Sequence, residues 1–192
     1  MKKAILTSAI LLAAGMAQAS EDLTPRIDAS RAAVKSFMTQ LKGELQAGMK
    51  AGGPVNAIDV CHTKAPEITS SVSKEKGWEI GRTSLKPRNP ANKPDQWELA
   101  VLKKFEQRKA AGEDPKKMEY SEVVETDGKQ TFRYMKAIPT GAICLTCHGE
   151  KLAPEVEAKL KELYPEDQAL GYKEGDIRGA FTIKQPISPT AP

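Results

Sequence analysis

Residues 118–148 read MEYSEVVETDGKQTFRYMKAIPTGAICLTCH. Two runs rich in β-prone residues, Met118 to Thr126 and Lys129 to Ile138, flank Asp127-Gly128, a dipeptide that tolerates the positive φ of a tight hairpin turn. The second run leads, after a short Pro-Thr-Gly turn, into Cys144-Leu145-Thr146-Cys147-His148. An antiparallel hairpin feeding a C-x-x-C-H motif is therefore the centre from which the rest is read.

Downstream, Pro154 to Tyr164 predicts a helix, Asp176 to Gln185 a last strand, and residues 186–192 a flexible tail. Upstream, Thr24-Pro25 predicts a helix start with Thr24 as the cap and proline at the first helical position. Ile27, Val34, Phe37, Met38, Leu41, Leu45 and Met49 then recur at helical spacing until Gly52-Gly53. Pro54 to Lys76 predicts a second helix, with Pro66 as a candidate interruption. Trp78 to Leu85 predicts a strand. Residues 86–94 hold three prolines, which excludes regular structure. Asp95 to Ala111 is helical again, with Trp97, Val101, Leu102 and Phe105 on one face. The composite is α/β of the α+β kind, built on an antiparallel sheet.

The amino terminus reads as an address. Lys2 and Lys3 form a positive start, Ala4 to Met16 a short apolar stretch, and Ala17-Gln18-Ala19 a small-residue cleavage site. Residues 1–19 are thus expected to be a cleaved signal peptide of bacterial type, leading to the periplasm. The apolar stretch is shorter than the roughly 20 residues of a spanning helix, and no stable membrane insertion is expected after cleavage. Loss of Lys2 and Lys3 takes the formal charge from +4 to +2. That balance lacks the concentrated basic face of a nucleic-acid binder. The remaining chain, about 170 residues, is one domain by size.

C-x-x-C-H is the attachment signature of a c-type haem. Two thiols spaced by two residues on a helical turn can each add across one vinyl group, and His148 then offers a nitrogen to the iron. Zinc would need further ligands, and outside the motif the chain has only Cys61 and His62 to give. A thioredoxin-like dithiol opens a helix in a βαβ unit, whereas a hairpin precedes this motif. A plain disulfide is the remaining competitor in an oxidising compartment. One motif predicts one covalently attached haem c, with His148 as an axial iron ligand.

No Met, His or Cys follows His148, so a second axial ligand, unless that position is open or water-bound, must come from upstream. The candidates are Cys61, His62, Met38, Met49, Met118, Met135 and the lysines. Cys61 is the odd cysteine of an exported chain and calls for an explanation. Ferric haem supplies one by favouring the thiolate; burial as a small apolar residue is the plain alternative. His62 has the more usual ligand chemistry. Met38 and Met49 fit a core-facing helix stripe.

Several segments resemble, in order, a family of bacterial single-haem proteins long catalogued as a domain of unknown function. They are Ala57-Ile58-Asp59-Val60-Cys61, the stretch from Gly81-Arg82-Thr83-Ser84 through Lys86-Pro87-Arg88 to Asn92, Cys144 to Gly149, and Gly175-Asp176-Ile177-Arg178-Gly179-Ala180. The resemblance implies a PAS-like domain over residues 20–185, an antiparallel sheet flanked by helices behind a long N-terminal helix. It also implies haem ligation by His148 and Cys61, with His62 the alternative because a small helix rotation exchanges the two. Arg82, Lys86 and Arg88 lie in the matching loop and are candidate partners of the anionic propionates; the competing reading is a solvated basic turn. Trp97 and Tyr134 read as core or pocket wall.

A haem closed by two protein ligands points first to one-electron transfer with a periplasmic redox partner protein. The alternative is a redox or gas sensor acting through a partner, an argument from fold analogy. Catalysis, such as a peroxidase or small-molecule reductase, ranks third, because it needs an open iron position and an acid–base group for which His62 is the one upstream histidine.

Overall fold

The computed structural model describes residues 22–187; the expected leader lies outside them. Helix α1 spans Thr24–Lys76 and is broken once. Gly52 and Gly53 leave helical geometry there, Gly53 with φ 68° and ψ −161°, a combination open essentially to glycine alone. The expected stop at Gly52-Gly53 is therefore a joint between two helical segments, 24–51 and 54–76. The helix passes straight through Pro66, whose missing N–H lies on an exposed face. Its start also differs by one residue from expectation. Leu23 takes the cap position, and the Asp22 carboxylate accepts the Thr24 N–H at 2.9 Å.

Strand β1 follows at Glu79–Thr83, then a single 3-10 turn at Pro90–Asn92 inside the proline loop. Helix α2, Gln96–Ala110, opens with a reciprocal cap: Asp95 accepts the Glu98 N–H and Glu98 accepts the Asp95 N–H. Strands β2 (Glu119–Thr126) and β3 (Lys129–Pro139) form the expected hairpin, with Asp127 at φ 51° and Gly128 at φ 71°. Short helix α3 covers Leu145–His148, α4 covers Pro154–Leu163, and β4 covers Ile177–Pro186. Pro186 closes β4 and the Ile187 N–H donates to Gln130, so the strand runs one residue past the expected end of the domain. Residues 188–192 of the expected tail lie outside the described residues.

All four strands join in one antiparallel sheet of order β1-β4-β3-β2. The α+β architecture expected from the sequence is thus the one observed. Alternation along the strands serves two layers. Phe132 and Tyr134 of β3 and Phe181 and Ile183 of β4 face α1, where Ala33, Val34, Phe37, Ile68 and Val72 close the core. Met135, Ala137 and Ala180 face α2 through Val101, Leu102 and Phe105. Phe37 and Phe105 are fully buried, and truncation of either to alanine would cost about 3–5 kcal/mol. Trp97 and Tyr134 are core-associated as expected, the Tyr134 hydroxyl donating to Glu119 at 2.7 Å. A third cluster, Ile58 with Val156, Leu160 and Tyr164, docks α4 onto the second segment of α1. Cys147 packs against it. That cluster brings the C-x-x-C-H turn and residue 61 to one place.

Candidate functional site

The motif sits on a tightened turn. A 3-10 turn at Ala142–Cys144 continues into α3, and the Gly141 N–H reaches the Cys144 Sγ at 3.4 Å. Gly149 ends the helix by donating to the Leu145 carbonyl; a Cβ there would lie 2.6 Å from that same oxygen. Beyond it the chain is clamped by residues 169–172. Tyr172 N–H donates to the His148 carbonyl at 2.9 Å and Gly171 N–H to Gly149 at 3.0 Å.

The His148 ring is oriented by its own bond. Nδ1 lies 2.8 Å from the Ala169 carbonyl, an oxygen that can only accept, so Nδ1 carries the proton and Nε2 keeps its lone pair. Such a carbonyl partner is how metal-binding histidines are usually held. Burial, reinforced by Arg178 and Arg88, pushes the imidazole pKa down to about 2, so the ring is neutral.

Two adjoining cavities open around this residue. The smaller, about 240 Å³, is walled by Cys144, Thr146, Cys147 and His148 on one side. Leu41, Leu45, Met49, Ile58, Ile138 and Ile143 supply its apolar lining. The larger, about 700 Å³, runs along β1 toward Ser73, Trp78 and Lys93. Cys61, Arg82, Arg88, His148, Tyr164 and Arg178 line both. Burial pushes the Cys61 thiol up, and the Arg82 and Arg88 charges pull against it. The Cys147 thiol is likewise raised by burial. All three cysteines are free thiols.

The other upstream candidates lie elsewhere. His62 is exposed and stacks edge-on against Tyr164 at 5.1 Å, in a small separate recess with Asn89 and Pro90. One helix step from Cys61 turns its ring outside both large cavities. Met118 and Met135 are buried in the α2 core, and Met38 is 44% exposed; Met49 alone among the named methionines reaches a cavity wall.

The three basic residues considered for the propionates, Arg82 in β1 and Lys86 and Arg88 in the loop that follows it, are placed differently from one another. Lys86 turns away: its Nζ donates to the Leu170 carbonyl and lies 4.7 Å from the Tyr172 ring, outside both cavities. Arg88 lines them but is already committed. It pairs with Asp167 at 2.9 Å, and its other arm donates to the Cys147 carbonyl. It fastens the motif to the 167–172 segment instead of standing free for an anion. Arg82 differs from both. It faces both cavities, and among the described residues no ion pair or hydrogen bond engages its guanidinium, whose one close contact is the Phe37 ring at 5.6 Å.

Arg178, Tyr164 and Asp167 complete the site, and sequence reasoning missed their roles. Arg178 donates to the Ser84 hydroxyl at 3.1 Å and to the Lys86 carbonyl at 3.3 Å. Its Nε points at the His148 Nδ1 at 3.3 Å, but with that nitrogen protonated the two donors cannot bond. Ser84 donates in turn to the Arg178 carbonyl at 2.8 Å and tethers the loop to β4. Gly179 permits this approach, since a Cβ there would lie 2.3 Å from the Thr83 carbonyl. Arg178 stood inside a quoted segment, but strand alternation says nothing of a cavity beyond the sheet's end. Asp167 carried no signal in the sequence.

The fold and site define a class: a single-sheet α+β domain whose cavity gathers a C-x-x-C-H turn, a distant cysteine and an excess of arginine. The chain belongs to the Tll0287-like family, whose model, Tll0287, matches residues 3–186. In three dimensions it is similar to the crystal structure of the cyanobacterial haem-protein Tll0287. The TM-score is 0.66 at 22% identity, over 87% of this chain and 98% of that one. No curated protein matches the sequence.

Proposed function

We propose that this chain carries one covalent haem c and works as a periplasmic one-electron carrier. In this reading Cys144 and Cys147 would hold the group, and His148 and Cys61 would bind its iron. One observation carries it: these four residues, from distant parts of the chain, line one adjoining pair of cavities beside an unpaired arginine. The fit supports it too. The motif thiols and the apolar wall belong to the smaller cavity, which shares Cys61, Arg82, His148 and Arg178 with the larger one. The larger is within the roughly 300–1,000 Å³ of cofactor sites, and among the described residues no cluster of three His, Cys, Asp or Glu offers a competing metal site. The similar fold of a cyanobacterial haem-protein adds to the case.

Haem c, when bound, supplies a ferric–ferrous couple. Each thiol of the motif would add its sulfur and hydrogen across one vinyl group, forming one C–S and one C–H bond with no net electron loss. His148, held neutral and aimed by Ala169, presents Nε2 as a ligand. Cys61 presents sulfur beside Arg82 and Arg88, whose charges offset part of the burial that keeps its thiol protonated; the rest of the pull toward thiolate would come from a bound ferric iron. A thiolate ligand favours ferric iron, so a low potential is expected. The apolar wall of the smaller cavity would shield the bound group on that side.

Protein matured in a host that attaches haem c should gain the mass of one haem and give a c-type pyridine haemochrome spectrum. Bare polypeptide mass would reject the proposal. A sensing role is the second reading. It draws on the Gly52–Gly53 joint, which gives the Cys61 segment its own attachment to the domain. A ferrous spectrum that changes on adding carbon monoxide would favour sensing over transfer.

A further inference from the structure

We infer that Arg82 and Arg178 form a two-point clamp for the pair of carboxylates on the haem edge, while Lys86 and Arg88 take no part. The inference rests on the haem reading above and specifies how that same site is completed.

The first argument is a charge census. The charged side chains lining the smaller cavity are Arg82, Arg88 and Arg178, with no carboxylate among them. Arg88 is neutralised by Asp167, both little exposed at 12% and 8%. Arg82 and Arg178 have no carboxylate within 4 Å among the described residues. Asp167 acts on Arg178 only from farther off, and the carboxylates of Glu79, Asp95 and Glu98 line only the larger cavity, so two guanidinium groups face the smaller one without an ion-pair partner. Buried charge is costly unless paired. The missing partner must therefore carry about two negative charges, as the two propionates of one haem do.

The second argument is donor geometry. Arg178 spends one arm on Ser84 and the Lys86 carbonyl and aims its Nε at a ring nitrogen that is itself a donor. Arg82 spends no donor among the described residues. Guanidinium forks with free N–H groups are the side chains best matched to carboxylates. Lys86, by contrast, has its ammonium on Leu170 and outside the cavities.

The clamp also carries a redox consequence. Ferric iron, the porphyrin dianion and a Cys61 thiolate sum to zero, and two propionates balance Arg82 and Arg178. The oxidised site is then electrically neutral, and an added electron is not compensated.

The test compares haem-loaded wild type, Arg82→Gln, Arg178→Gln and Lys86→Gln. Each is checked for haem by mass, then titrated for reduction potential from about pH 4 to 8. Arg82→Gln and Arg178→Gln should each favour the ferric state about tenfold at neutral pH, a fall of ~59 mV for one electron. Their pH-dependent break should also move upward as a propionate loses its cation. Lys86→Gln should move neither. Arginine variants that match wild type, or a Lys86→Gln that shifts instead, would overturn the clamp.

If an arginine variant fails to fold, the wild type still decides. With haem ¹³C-labelled at its carboxyls, the infrared spectrum should show both ionised through the ordinary carboxylic range. Titration like that of a free carboxylic acid would overturn the clamp. Wild type lacking haem mass would instead bring down the haem reading itself.

Discussion

Arg88 and Asp167, 79 residues apart in the chain, meet at 2.9 Å in a nearly solvent-free pair at the back of the C-x-x-C-H turn. Asp167 also accepts the Ala169 N–H at 2.8 Å. One carboxylate thus holds both the arginine that grips the Cys147 carbonyl and the residue whose carbonyl aims His148. The motif is positioned from outside itself.

Asp167→Asn should therefore destabilise the domain by about 3 kcal/mol, because removing one partner of a buried pair leaves a charge uncompensated. Urea unfolding followed by circular dichroism measures it. A loss below about 0.5 kcal/mol, the range of ordinary surface changes, would show that the pair does not hold the turn.

Cys61 and His62 are separable by geometry, since Cys61 lines both cavities and His62 lies exposed against Tyr164. In haem-loaded protein, Cys61→Ala should abolish thiolate character in the ferric absorption spectrum and raise the potential, while His62→Ala leaves both unchanged. The reverse pattern would assign the ligand to His62.

Two glycines of α1 should respond in opposite senses. Gly53→Ala forces a side chain into a conformation that costs about 1–3 kcal/mol. Gly43 is exposed inside regular helix with nothing near its absent Cβ, so Gly43→Ala should stabilise by up to about 1 kcal/mol. Thermal unfolding of the two variants checks both signs. A neutral Gly53→Ala would mean that the joint tolerates a continuous helix.

Acid should weaken the fold in two steps. Burial pushes Asp95 and Asp176 up, but the hydrogen bonds and charges of Arg133, the Glu98 N–H and Lys184 around the first, and of Lys109 and Lys173 around the second, together outweigh it and hold both below their usual values. Arg31 holds Glu119 down. A carboxyl with a lowered folded pKa stabilises fully above about pH 4 and loses that contribution as pH falls toward its folded value. Unfolding free energy should begin to decline below about pH 6.5, where the His148 imidazole kept neutral in the fold is protonated in the unfolded chain. It should decline further below about pH 5 as these carboxylates lose their contribution, with a shallower acid limb in Asp176→Asn. Equal slopes in variant and wild type would remove Asp176 from the account.

Local patterns in the chain were enough for the parts that depend on neighbours in sequence. The helical stripe ending at Gly52-Gly53, the Asp127-Gly128 hairpin, the two β periods and the C-x-x-C-H turn are short-range features with 3.6- or 2-residue signatures, and each lies within a residue or two of its expected place. What decides the site is long-range. Which of Cys61 and His62 faces inward depends on the rotation that Ile58 imposes by docking on Val156 and Leu160. Whether a loop arginine is free or committed depends on finding Asp167 some eighty residues later. Arg178 enters because Gly179 lets β4 touch the carbonyl of Thr83. Partners brought together by packing leave no periodic trace in the sequence, so only the tertiary structure could sort one basic side chain from another.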